Sequence, residues 1–243
     1  MKKKLLLLWL LLPVPIIALH YGPGQRLMAR DEAEALADRA EAAAAGGEHG
    51  QAAALFREAA QRVGASEPEA QLRLHVAAAR ARAQGGDAAE ALDALDQLLA
   101  DPRIEQHAGV GEEARELAAR TAYHASWVMR LEGATRDEWL PVAEESRQQY
   151  RLLAEAGGGA TAESARQNVE AAVRLQRMSL AELMAKPLPK DCQGMCNKNL
   201  KEKMCKRCDG KKGNCKKPGK KPSEDLRENK GAGLGERMEG AGS

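Results

Sequence analysis

Two glycine pairs, Gly46-Gly47 and Gly85-Gly86, stand 39 residues apart, each followed by an acid and each closing an alanine-rich run with apolar residues at helical spacing. Glycine adopts the left-handed conformation that ends a helix without the steric cost other residues meet there. Shifted by the same 39 positions, Ala40 falls on Ala79, Ala52 on Ala91, Phe56 on Leu95 and Ala59 on Leu98. A chain patterned this way is a set of helical hairpins. Each hairpin carries an apolar stripe that only a neighbouring hairpin can cover, so the set coheres as an array.

The period-3.6 pattern continues beyond the repeat. It predicts helices over 30–45, 50–63, 66–84, 88–100, 112–131, 135–155 and 161–184, with Gly157-Gly158-Gly159 as a linker. Ser66-x-x-Glu69 and Thr135-x-x-Glu138 have the spacing of capping boxes, and Pro68 suits a first turn. Pro141 sits late for a first turn, so its helix either kinks or begins nearer Leu140. One Phe, three Trp and three Tyr are too few for a β-sandwich or barrel. The expected fold is all-α, antiparallel hairpins stacked as a short solenoid over residues 25–185.

Over residues 31–100 the hairpin pair resembles the tetratricopeptide repeat, with small residues at two helix crossings and a large apolar one between them; GGDAAEALDAL is the closest local match. The repeat here is 39 residues where that family has about 34, and His75 stands where the first hairpin has Leu36. The resemblance implies a groove, lined by the first helix of each pair, that takes an extended peptide or a partner helix. Arg73 and Arg80, seven apart on one such helix, are candidate contacts for an acidic partner; solvated pairs with nearby glutamates are the plainer alternative.

At the N-terminus three lysines precede 15 uncharged residues, Leu5 to Leu19, inside an expected 1–24 targeting segment. That length suits a signal-peptide core and falls short of the roughly 20 residues that span a bilayer comfortably. The position after Ala18 is the nearest candidate cleavage site, and Ile16 is bulky there. Trp9, His20 and Tyr21 extend residues 5–21 towards a short uncleaved anchor. Both readings place the rest of the chain outside the cytoplasm, since the lysines stay inside.

Charge is segregated. From Leu5 to Ala185 there are 18 basic residues, all Arg, against 27 acidic ones, a balance of −9; from Lys186 to Lys221 there are 13 basic against three acidic, a balance of +10. Every cysteine lies in this second segment, expected to be mostly irregular, and 222–243 reads as a disordered polar tail. Cys192 and Cys196 form C-x3-C, Cys205 and Cys208 form C-x2-C, and Cys215 is the spare. Four thiolates can saturate one zinc ion, while in an oxidising compartment the same thiols form disulfides; an unstructured thiol tail is the third outcome. The stretch from Cys205 to Gly210 is similar to one CxxCxGxG unit of DnaJ-type zinc modules. Lys211, Lys212, Lys216 and Lys217 are candidate contacts for an anionic envelope component or lipid headgroups. Nucleic acid is disfavoured, because aromatic residues to stack on bases are scarce.

His75, His107 and His124 are scattered, and there is no H-E-x-x-H, G-x-S-x-G or phosphate-binding glycine loop. The expectation is a non-enzymatic, envelope-associated adaptor that binds a protein partner through its helical surface. Its rivals are a thiol-disulfide active protein using Cys205 and Cys208, and a cytosolic zinc-dependent nucleic-acid binder.

Overall fold

A computed structural model describes residues 24–187 together with Leu200 and Met204. Among the described residues every regular element is helical: α1 Gln25–Ala45, α2 His49–Val63, α3 Pro68–Gln84, α4 Ala88–Leu99, α5 Ala108–Leu131, α6 Arg136–Ala156, α7 Gly159–Arg177 and α8 Leu180–Met184, with 3-10 turns at Gly64–Ser66 and Pro102–Gln106. The expected all-α class and the packing of successive helices are both present. No helix among the described residues is long and apolar enough to cross a membrane. The expected apolar segment 5–21 lies outside those residues, as do all five cysteines.

The chain divides into two compact units, one formed by residues up to Gly85 with Ala94–Ala114, the other by Gly86–Asp93 with the residues from Arg115 onward. In the first, α1 packs on α2 and α2 on α3. Ala40, Ala52, Ala53, Phe56, Ala78 and Ala81 form the shared core, and alanine there brings the helix axes close. A second cluster of Ala33, Ala59 and Val63 lies towards the other end of α1 and α2.

The turn between α1 and α2 follows from its glycines. Gly47 has φ of +81°, its N–H donates to Ala44 O at 3.0 Å, and Glu48 N–H donates to Ala43 O at 2.8 Å. This is the Schellman pair of hydrogen bonds, which uses carbonyls the helix end leaves over. Gly86, the 39-residue counterpart, has φ of +82°. Ala40 and Ala79, Ala52 and Ala91, Phe56 and Leu95, and Ala59 and Leu98 are all buried. Backbone conformation and burial thus repeat at the interval of the sequence.

Several boundaries differ from the sequence-based expectation: α1 starts at Gln25 rather than 30, α7 starts at Gly159 within the expected linker, and three others have a visible cause. Helix α3 is capped at Glu67 with no side-chain cap bond, because Gly64–Ser66 is already a 3-10 turn. Glu69, expected to close a box, accepts instead from Arg73. Helix α5 starts at Ala108 rather than 112, continuing from the 3-10 turn; a Cβ on Gly111 would sit 3.0 Å from Ile104 Cγ2, so glycine there lets the two pack. The expected final helix is two, since the chain breaks at Met178 and Ser179 caps α8: Ser179 Oγ accepts from Glu182 N–H at 3.2 Å and Ser179 N–H donates to Glu182 Oε2 at 2.7 Å.

The Thr135 box does form. Glu138, almost fully buried, accepts from Thr135 N–H at 2.6 Å and its hydroxyl at 3.0 Å. Pro141 is accommodated inside α6, on its exposed side. In the second unit α6 packs on α7, and Ala119 of α5 meets Tyr150, Leu153 and Ala165. Leu183 of α8 completes a cluster with Trp127 and Leu175. Buried Arg130 donates to the carbonyls of Leu175 and Met178 at the end of α7, and its guanidinium lies 4.4 Å over the Trp139 ring. A cation at a helix C-terminus meets the negative end of the dipole and the unused carbonyls together.

Within the cysteine- and lysine-rich segment, Leu200 and Met204 are helical and fully buried, and Leu200 N–H donates to Glu132 Oε1 at 3.2 Å. At these two positions the expectation of irregular chain apart from the body does not hold. The physical reason is visible in KNLKEKM, where two large apolar side chains stand four apart on one helical face.

Candidate functional site

In the first unit a groove of about 390 Å³ opens between α2, α3, the second half of α4 and the turn after it. Ala78, Ala79 and Leu98 form its apolar floor, and Arg57, His75, Arg82, Asp101 and Arg103 its polar wall. Sequence dictates this wall locally. Asp101 precedes Pro102, so the chain leaves α4 through a 3-10 turn capped by the Asp101 carboxylate, which accepts from Arg103 N–H at 2.9 Å. That turn folds the Arg103 side chain back onto the same carboxylate, with Nε to Oδ1 at 3.0 Å and Nη2 to Oδ2 at 2.6 Å. Arg103 Nη1 reaches across to Gln71 Oε1 of α3 at 2.8 Å.

His75 occupies the repeat position that Leu36 holds in the first hairpin. Leu36 packs against both core clusters there, whereas His75, half-buried, lines the groove. Burial holds its imidazole below the ordinary 6.5, the nearby Arg103 charge acts the same way, and Asp101 opposes them. The hydrogen bonds from Arg103 hold Asp101 down at about 2. At neutral pH the wall therefore presents three guanidiniums, one ionised carboxylate already gripped by one of them, and a neutral imidazole.

The predicted partner contacts Arg73 and Arg80 both lie on α3, but they do not converge. Arg73 pairs with Glu69 one turn earlier at 2.9 Å, and Arg80 pairs with Glu113 of α5. Arg73 borders a separate shallow cleft with Glu67, Pro68 and His107, where His107 Nδ1 is 3.7 Å from Glu69 Oε2. The predicted zinc ligands Cys192, Cys196, Cys205 and Cys208, and the predicted contacts Lys211, Lys212, Lys216 and Lys217, lie outside the described residues. Among the described residues no group of three or more His, Cys, Asp or Glu could hold a metal ion.

Sequence patterning assigns no role to the groove residues Arg57, Arg82, Asp101 and Arg103, and marks out His75 without giving it one. A signal was present in His75, a polar residue where the repeat calls for an apolar one. Comparison with protein-family models, with curated proteins and with solved structures finds no match to this chain.

Proposed function

We propose that this chain is a non-enzymatic adaptor of the cell envelope, whose body is a tetratricopeptide-like array of hairpins that docks a protein partner. The observation that carries this reading is the 39-residue interval at which turn conformation and burial recur, from Gly47 and Ala52 to Gly86 and Ala91. Arrays built on such an interval expose helix faces to extended peptides. The lysine-flanked apolar segment 5–21 supports tethering to a membrane, with the bulk of the chain on the outer side. The basic segment with Cys192, Cys196, Cys205 and Cys208 acts as a second contact, or as a knuckle stapled by zinc.

Membrane fractionation of the full chain tests the tether. Recovery with the membrane is expected, and recovery in the soluble cytosolic fraction sinks the envelope assignment in favour of the zinc-dependent nucleic-acid binder. Native and denaturing mass spectrometry distinguishes the fates of the thiols: retained zinc with free thiols supports the knuckle, and a mass lower by about 4 Da supports two disulfides.

A further inference from the structure

We propose that the groove walled by Arg57, His75, Arg82 and Arg103 binds an extended, internally acidic segment of a partner protein through its side-chain carboxylates. The inference rests on the adaptor reading and adds to it the site and the chemistry of the partner.

Charge complementarity is the first ground. The body has a balance of −9 between Leu5 and Ala185, yet this groove is lined by three arginines and a single aspartate, whose carboxylate is taken up by Arg103 through both oxygens. The Asp101–Arg103 fork is itself an example of the contact that a guanidinium here makes with a carboxylate. Arg57 is exposed and sends its Nε to Ala53 O at 3.3 Å, a main-chain contact that does not neutralise its charge. Arg82, half-exposed, makes contacts of its own within the chain and contributes to the wall.

Geometry selects a segment over a single anion. His75 and Arg82 are seven residues apart on α3, about 10 Å along the axis, so one carboxylate cannot serve both. Alternate side chains of an extended peptide are about 7 Å apart on one face, so three of them, spanning about 14 Å, cover a wall of that length. A volume of about 390 Å³ lies at the small end of ligand sites and admits a few side chains over the apolar floor. A long polyanion such as nucleic acid would have to run beyond the groove over an acidic body, with almost no aromatic residues to stack on.

The test uses the full chain and fluorescent peptides, acetylated and amidated at their ends, in which glutamate alternates with serine, beside the matching glutamine–serine peptides. Fluorescence anisotropy is expected to give about tenfold tighter binding for the glutamate peptide, within the range that two charge contacts of the exposed kind supply. The double variant Arg57→Gln, Arg82→Gln removes that difference, and the control Arg26→Gln, Arg151→Gln keeps it. The single variant Arg57→Gln, checked by circular dichroism, covers the case in which the double variant does not fold. Equal binding of the two peptides, an undiminished preference in the groove variants, or tighter binding of a single-stranded oligonucleotide overturns the proposal. Failure here is distinguishable from failure of the adaptor reading: a partner copurified from native membrane by wild type and groove variant alike leaves the adaptor standing and removes the groove.

Discussion

Arg130 shows how much one side chain can be required to do in a chain with few large residues. It is 6% exposed, and burial lowers its pKa, yet its partners are carbonyls rather than a carboxylate. The cost of burying the cation is offset by charge-assisted bonds to the end of α7 and by the Trp139 ring. Arg130→Met is expected to lower stability by about 3 kcal/mol in urea unfolding, because two acceptors lose their donor. Arg130→Lys should recover less than half of this, since an ammonium lacks the planar fork that reaches both carbonyls. His75 provides a second test at this scale. Its pKa is lowered in the folded state, so between the folded value and 6.5 the unfolded chain binds more protons. Its contribution is therefore fully present above pH 6.5 and is lost as pH falls below it. Melting temperatures at pH 7.5 and 5.5 should differ less for His75→Gln than for wild type. Asp101, held at about 2, stays charged through that window and does not confuse the comparison.

At the scale of elements, the two glycine pairs look equivalent in sequence and differ in their surroundings. A Cβ on Gly46 would meet only backbone oxygens at 3.5 Å, while one on Gly85 would lie 2.9 Å from His49 Cβ. Gly46→Ala should leave the melting temperature nearly unchanged, and Gly85→Ala should cost about 1–3 kcal/mol by forcing the His49 end of α2 away. Gly47→Ala and Gly86→Ala should each cost about 1–2 kcal/mol for a different reason, the left-handed backbone itself. Thermal melts of the four single variants separate packing from conformation. The capping boxes carry a parallel lesson. Ser66-x-x-Glu69, Thr135-x-x-Glu138 and Ser179-x-x-Glu182 share one pattern; the latter two form the box, while α3 takes Glu67 as its cap residue, with no side-chain cap bond from it. The Ser179 break lets Leu183 reach Trp127 and Leu175, so packing decides between a continuous helix and two.

For the whole molecule, the segment after residue 187 matters through Leu200 and Met204. Both are fully buried, and the Leu200 amide is tied to Glu132. Leu200→Ala is expected to cost about 2–5 kcal/mol in urea unfolding, the range for a buried leucine, and truncation after Pro187 at least as much. An unchanged unfolding midpoint in both would mean that these residues add nothing to the body. Much of the helical plan was legible in the sequence: where helices lie and where they turn follows from apolar period and from glycine's freedom at Gly47 and Gly86, which are local properties of a few consecutive residues. The tertiary structure alone decided that His75, Asp101, Arg103 and Arg57 share one groove, that Arg80 meets Glu113 of α5, and that Leu200 is interior. Those outcomes depend on distances between residues roughly 20 to 70 apart in the chain, which the angles and offsets of packed helices set and which no short-range pattern encodes.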